Sequence, residues 1–361
     1  MNLSGKYFRE HTPWIYNIMV SLINRIKRVS APYYIYITDS LGGSFKDYFT
    51  LPDIQDRIRR LKRNLDKESS ETIDIIMVRL QQYPDEKDRH RMSRRIDVKG
   101  GRLPVETREM KDFLKGALKL VKRKTGLPSR HIGESVFFFE HGLRLFPAEV
   151  NDYIKDSDFI DAGAYIGDSA IALKEYGYRK IFSIEISRKS IEKYKINLER
   201  NGIDPTRYLI INSGISAVGR ESPVTFPDTG SAGLSVLRRS GKYDIITVER
   251  DSIDNIVREF NIMPRFIKAD IEGSALDLIK GAITTIKKFR PVLSIAIYHN
   301  PVEFFEVKPF LEELMDDYVF FIRKLSSGIK NNECHSEVIL LGCPGEVLKE
   351  KPLKPLSFQD L

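Results

Sequence analysis

The stretch that most constrains this chain is Asp158-Phe159-Ile160-Asp161-Ala162-Gly163-Ala164-Tyr165-Ile166-Gly167-Asp168. A short apolar run leads into an acidic residue, a glycine turn and an amphipathic segment that begins at Ser169. That is the order of a β-strand, a tight loop and a helix N-terminus, the place where nucleotide-like cofactors sit in α/β sheets. Glycine at 163 and 167 lets the backbone turn sharply and approach a ligand closely. The spacing is GxxxG, not the GxGxxG of dinucleotide folds, and Asp161 precedes it. The next apolar run ends at Ser183-Ile184-Glu185, about 20 residues on, where a carboxylate can accept hydrogen bonds from ribose hydroxyls. Together, loop and carboxylate point to a nucleoside-containing cofactor. The bland alternative is a structural turn beside a surface Glu185.

From this stretch onward, strand-like runs alternate with helical patterns. The runs cover residues 159–162, 180–186, 208–212, 266–269, 292–298, 318–323 and 338–341, and helical spacing covers 169–176, 187–201 and 275–288. Such alternation predicts a doubly wound α/β domain with a largely parallel sheet. The last two runs are close enough in sequence to pair antiparallel at one edge. Residues 227–235, rich in Gly, Ser and Thr, read as a hairpin or an active-site loop. The aromatic run from Glu134 through Phe137-Phe138-Phe139 to Leu143 reads as a strand or hairpin leading into the domain.

The N-terminal third, residues 1–133, reads as a helical accessory region. Residues 13–29 have apolar positions at helical spacing and could lie on a membrane, but their polar face is thin in Lys and Arg. Thr50 is the expected cap of a helix with Pro52 in its first turn, running to about Asn64, and Ser69 opens another. Residues 107–125 read as one more helix, ended by Gly126-Leu127-Pro128. The densest basic run, Lys87 to Arg95, has no interleaved aromatics, so it reads as a solvated connector and not a nucleic-acid site.

A formal charge of +8 over 361 residues favours anionic partners without choosing among acidic substrates, nucleotide diphosphates, nucleic acid and membrane. Cys334 and Cys343 form no CxxC pair, which argues against a disulfide framework or zinc knuckle and for a reducing cytosol. No signal peptide is visible, and the apolar stretch from Trp14 is too short and too polar to span a bilayer. The expected location is cytoplasmic, with peripheral membrane contact through the N-terminal helix left open.

Candidate chemistry lies in Lys268-Ala269-Asp270-Ile271-Glu272-Gly273 and Ile297-Tyr298-His299-Asn300-Pro301. Strand alternation sends Asp270 and Glu272 to the same side. Asp270 is the first candidate for a catalytic or substrate-orienting carboxylate; otherwise both acids cap the helix that starts near Ser274. His299, with an ordinary pKa of about 6.5, suits general-base work, and His141 could fold over the site. Asp270, Glu272 and His299 could also share a divalent cation, but no compact ligand motif supports one and none is expected.

The segments FIDAGAYIGDSAIAL, SIEIS, IKADIEGSALDLIKGA and LSIAIYHNP, in this order, resemble the FkbM family of S-adenosylmethionine-dependent methyltransferases. The resemblance implies a class I methyltransferase domain over residues 134–345, a Rossmann-like doubly wound sheet of seven strands with the last antiparallel, and a tail over 346–361. It implies that Asp161, Gly163, Ala164, Tyr165, Gly167 and Asp168 surround the methionine end of S-adenosyl-L-methionine. Glu185 and Ile186 would hold the ribose, Gly214 and Ile215 the adenine, and Asp270 would lie beside the methyl group. Tyr165 departs from the family's Asn and could reshape the methionine end.

The sulfonium donor is already activated, leaving in-line positioning and proton removal to the protein, by Asp270 or by His299 with Glu272 nearby. The implied activity is O-methylation of a hydroxyl, of a sugar in polysaccharide or glycolipid biosynthesis or of a secondary metabolite. The basic N-terminal third would dock an anionic substrate or form a homo-oligomer interface. Two alternatives stand beside it. Methylation of RNA is encouraged by the charge, but Asp-Ile-Glu-Gly replaces the Asn-Pro-Pro-aromatic signature that holds a flipped base. A non-catalytic protein retaining the fold would have no reason to keep Asp161, Glu185 and Asp270 together. No DNA partner is expected.

Overall fold

The structure, a computed structural model, describes residues 34–37, 41–82, 94–97, 101–228, 244–328 and 335–356. The amphipathic segment 13–29, residues 87–93 of the basic run, residues 229–235 of the Gly/Ser/Thr-rich stretch and Cys334 lie outside them.

In chain order, strand β1 (Tyr34–Ile37) pairs antiparallel with β2 (Arg94–Asp97), and between them lie helices α1 (Leu41–Tyr48), α2 (Ile54–Lys62) and α3 (Lys67–Gln81). Asp66 caps α3, accepting from the Ser69 amide at 2.9 Å, so this helix starts two residues before the expected Ser69. Thr50 does not cap α2. Its hydroxyl donates to the Asp47 carbonyl, and Asp53 stands at the helix start. Helix α4 (Arg108–Thr125) matches the expected span: Thr107 accepts from the Met110 amide, and Gly126 at φ +65° ends the helix.

The run from Glu134 to Leu143 is neither strand nor hairpin. It forms the single-turn helix α5 (Glu134–Phe137) and a tight 3₁₀ segment, Glu140–Leu145, with all three phenylalanines buried. A short apolar run cannot distinguish a strand from a helical turn buried all round.

After α6 (Ala148–Ile154) the seven expected runs all appear, in one sheet. They are β3 (Asp158–Ala162), β4 (Lys180–Ile184) and β5 (Tyr208–Ile211), then β9 (Pro264–Ala269), β10 (Val292–Ala296), β11 (Tyr318–Lys324) and β12 (Val338–Pro344). A small separate sheet of β6 (Gly214–Ile215), β7 (Glu221–Asp228) and β8 (Asp244–Asp251) intervenes, with β7 and β8 antiparallel. The main sheet has the order β11-β12-β10-β9-β3-β4-β5. All its pairings are parallel except those of β12, which runs against both neighbours.

Helices α7 (Asp168–Ala172) and α8 (Arg188–Arg200) make the first crossovers, followed by α9 (Ile253–Glu259), α10 (Ala275–Lys280), α11 (Ile283–Phe289), α12 (Pro301–Leu314) and α13 (Gly345–Leu348). The single helix expected over 275–288 is broken into α10 and α11. A Cβ on Gly281 would stand 2.3 Å from the Ser216 carbonyl, and the Gly281 carbonyl is taken by the Asp254 amide. Among the described residues, no helix is long and apolar enough to cross a membrane.

Chain order reverses between β3 and β9: β4 and β5 lie to one side of β3, and β9 and β10 to the other. A crevice opens at such a switch point, at the carboxyl ends of the strands. Register aligns those ends, Ala162 beside both Ile184 and Ala269, and Ala269 beside Ile295. The N-terminal helices share the same apolar core, which runs from Phe45 to Leu356. Helix α3 lies along β11, where Ser69 accepts from the Ile322 amide at 2.8 Å, and Tyr48 stacks on Phe305 of α12.

Arg79 on α3 forks onto Glu106 at 2.7 and 2.6 Å, both residues almost wholly buried, with the Lys324 ammonium 4.0 Å away. Glu106 also accepts from the Leu103 amide. Removing one partner of a buried pair leaves an uncompensated charge, so Glu106→Ala is expected to cost roughly 3–5 kcal/mol. Urea denaturation measures this; a loss below about 1 kcal/mol would show that the pair does not hold α3 to the turn at Pro104–Glu106.

Candidate active site

The crevice is a cavity of about 690 Å³, within the roughly 300–1,000 Å³ of small-molecule sites. Its floor is the loop after β3. Gly163 and Gly167 adopt φ +81° and +83°, and a Cβ on Gly163 would lie 1.9 Å from the Asp270 carbonyl, so only glycine permits the two strand ends to approach. Tyr165 follows at φ +46°, its amide donating to Glu185 Oε2 at 2.7 Å and its hydroxyl meeting His131 Nδ1 at 3.2 Å. Glu185 Oε1 accepts from the Ser187 amide at 2.8 Å. Burial pushes the Glu185 carboxyl up to about 6 although those two amides favour its charge.

Asp161 is wholly buried beneath the loop, with the Lys268 ammonium 2.9 Å from its carboxylate. The two face each other across the register of β3 and β9. Lys268 also donates to the Gly163 carbonyl at 2.8 Å. Burial disfavours its charge, but Asp161, Asp270 and Asp168 outweigh that and raise its pKa. Asp168, at the start of α7, faces the cavity, and enclosure by protein pushes its carboxyl up to about 7 against the pull of Lys268.

Across the cavity, Asp270 and Glu272 follow β9, and His299 follows β10. His299 Nε2 lies 3.1 Å from Asp270 Oδ1 and 3.9 Å from Glu272 Oε2, and Nδ1 meets Glu303 Oε2 at 3.1 Å. Burial works against a charged His299, yet Asp270 and Glu303 raise its pKa well above the ordinary value. Burial would likewise raise Asp270, but His299, Lys268 and His141 hold its carboxyl low. His141 lines the same cavity at φ +55°. Burial and the nearby Lys268 push its pKa down to about 3, and its Nε2 finds no hydrogen-bond partner among the described residues.

Of the expected cofactor residues, Gly163, Tyr165, Asp168, Glu185, Ile186, Gly214, Ile215 and Asp270 line the cavity. Asp161, Ala164 and Gly167 do not; they shape the loop from behind. Gly167 is packed against Leu198 and Tyr194, where a Cβ would come within 2.5 Å of Leu198. Of the expected catalytic residues, Asp270 and Glu272 line the cavity, whereas His299 sits behind them.

Sequence reasoning passed over Lys268 and Glu303. Each carried a signal, as a charge in an otherwise apolar strand and a carboxylate one helical turn after His299. His131 and Glu337, also in the wall, carried none.

Residues 161–324 match the family model of the methyltransferase FkbM domain. That stretch of the chain is similar to the FkbM methyltransferase domain. Solved structures of similar fold include an FkbM methyltransferase from Methylobacillus flagellatus, 18% identical with a TM-score of 0.49 over 80% of this chain. The chain spans 58% of that protein's length. An rRNA methylase from Streptococcus thermophilus is 13% identical (TM-score 0.35, 55% of this chain and 92% of that one). The O-methyltransferase TomG from Streptomyces achromogenes, solved with S-adenosylmethionine, is 12% identical (TM-score 0.37, 64% and 88%). No sequence among the curated proteins is significantly similar to this chain.

The fold holds Asp168 at a cost that depends on pH. Its folded pKa of about 7 lies above the ordinary 3.8, so folding binds a proton here between those values. The stability this proton confers is complete below about pH 4 and lost as pH rises through 7. Asp168→Asn is therefore expected to raise the melting temperature of the ligand-free protein at pH 8, with the gain vanishing as pH falls towards 4. A gain independent of pH would remove Asp168 as its source.

Proposed function

We propose that the protein transfers the methyl group of S-adenosylmethionine to a hydroxyl of a small-molecule or sugar acceptor. One observation carries this reading: a single cavity joins Glu185, at the end of β4, to Asp270 and Glu272, at the end of β9. In this reading the first takes the ribose hydroxyls and the second pair the acceptor. Each oxygen of Glu185 holds one backbone amide and keeps a lone pair for a ribose hydroxyl. Gly214 and Ile215, in β6 just beyond β5, form the apolar end suited to adenine, and the Gly163 loop with Asp168 suits the charged methionine end.

The donor supplies an activated methyl group. As the oxygen–carbon bond forms and the sulfur–carbon bond breaks, the acceptor oxygen turns into a strongly acidic oxonium, so a weak base is enough to take its proton. Asp270 suits that role, because His299 and Lys268 keep it ionised and it faces the cavity. His299, itself charged and set behind Asp270, acts as a positioning residue and not as the base. Tyr298, Val136 and His141 line the same cavity.

Calorimetric titration with S-adenosylhomocysteine tests the donor site; no binding would overturn the reading. With binding in hand, Asp270→Asn is expected to keep that affinity within a few-fold and to lower turnover at least ~100-fold. Turnover would be read with labelled donor against sugar nucleotides and lipid-linked glycans. Turnover retained in the variant would take Asp270 out of the mechanism.

A further inference from the structure

We infer that Asp270, Glu272 and His299 form a binding site for one divalent cation of hard-to-borderline character, such as Mn²⁺. The ligand atoms of the three side chains lie within 4.8 Å of one another, and the two carboxylates open on the cavity.

The decisive observation is how His299 and Asp270 meet. Nε2 and Oδ1 are 3.1 Å apart, yet they do not meet the geometry of a hydrogen bond, and neither atom finds another hydrogen-bond partner among the described residues. The His299 side chain is 96% buried, with only 4% of its surface exposed. Two buried polar atoms so placed point to a common neighbour. Atoms 3.1 Å apart, each about 2.1 Å from one ion, subtend close to 90° at it, the angle of adjacent ligands in an octahedron.

The surroundings prepare the imidazole for this. Glu303 Oε1 accepts from the Ala275 amide at 2.8 Å, and Oε2 meets His299 Nδ1 at 3.1 Å. A carboxylate is an acceptor, so Nδ1 donates, and Nε2 is the atom turned towards Asp270 and Glu272. A lone pair facing two carboxylates is repulsive unless a positive charge lies between them. A proton or a metal ion can supply that charge, and the cation would take the proton's place. A carboxylate that orients a histidine from behind is the usual support of a metal-binding imidazole.

The mixed set of one nitrogen and two carboxylates suits Mn²⁺ or Fe²⁺ better than Ca²⁺, which takes oxygen ligands. Glu272 reaches the group from a left-handed backbone position at φ +52°, and about a third of its side chain opens on the cavity. The remaining coordination positions face the place proposed for the acceptor. There the cation would hold an acceptor hydroxyl and make it more acidic.

Titrating the full-length protein with MnCl₂ alone, followed by water-proton relaxation and electron paramagnetic resonance, tests the site without donor or acceptor. One Mn²⁺ per chain is expected. Glu272→Gln and Asp270→Asn should each weaken it at least ~10-fold, and Glu303→Gln roughly 10- to 100-fold by loosening His299. Thermal melts confirm that the variants fold; Glu272→Gln, at the cavity surface, is the variant least able to disturb the core. Absence of stoichiometric Mn²⁺, or equal affinity in the folded variants, would overturn the inference. The inference does not rest on the proposed donor chemistry: Mn²⁺ binding without S-adenosylhomocysteine binding would sustain the cation site and sink the methyl-transfer reading.

Discussion

The site depends on one buried contact, the ion pair of Asp161 and Lys268 between two parallel strands. An unpaired charge at either buried position would be costly, and the pairing across the strands offsets that cost. Their meeting aligns the ends of β3 and β9, and Lys268 then reaches past Asp161 to the Gly163 carbonyl. That contact holds the loop against β9, so closely that residue 163 has no room for a Cβ. The Glu185 carboxylate completes the clamp from β4 by taking the Tyr165 amide. Loop geometry is therefore set by charge pairing beneath it, before any ligand arrives.

The same pairing sets the electrostatics of the cavity. Lys268 and His299 are the cations buried at these strand ends. Around Lys268 stand Asp161, Asp168, Asp270 and, more distantly, Glu185. Burial raises Glu185, Asp168 and Glu337, while His299 and Lys268 hold Asp270 low. Acids with such divergent proton affinities in one enclosure are the arrangement that functional sites favour. The surplus of carboxylates welcomes positive charge. A sulfonium donor would supply it at the Glu185 end, and a divalent cation at the Asp270 end.

Much of this was legible because parallel strands buried on both faces must be written as apolar runs, and all seven runs of the main sheet were. The glycine loop and the acids at strand ends were legible for a related reason: charge and glycine stand out against apolar sequence. What escaped was structure whose signal lies in three dimensions. The core of the 134–143 run, Phe137-Phe138-Phe139, is apolar at every position because all three rings are buried, and periodicity cannot express that. Helix α12 is likewise buried around most of its girth, with Phe304, Phe305 and Val307 inside, and shows little amphipathic pattern. Its start was nonetheless written in Asn300, which accepts from the Glu303 amide ahead of Pro301. Asp161 was assigned to the ligand because spacing cannot tell a residue lining a loop from one buried beneath it. Lys268, its partner, shows which it is.

Tyr165, where the resemblance implies Asn, does one thing with its backbone and another with its side chain. The loop needs an amide at this position for Glu185, in a left-handed conformation that Asn tolerates better than Tyr. A bulky residue at φ +46° costs on the order of 1 kcal/mol or more, and persists only where surroundings fix it. The fixing contact is the phenol hydroxyl against His131 Nδ1, in the 3₁₀ segment Ser129–His131 that follows α4. His141, Glu272 and Glu337 hold the same left-handed conformation around the same cavity. Strained non-glycine residues gathered in one wall place side chains where a relaxed backbone would not. At Tyr165 the phenol hydroxyl also ties the segment before α5 to the loop through His131, which is part of the wall.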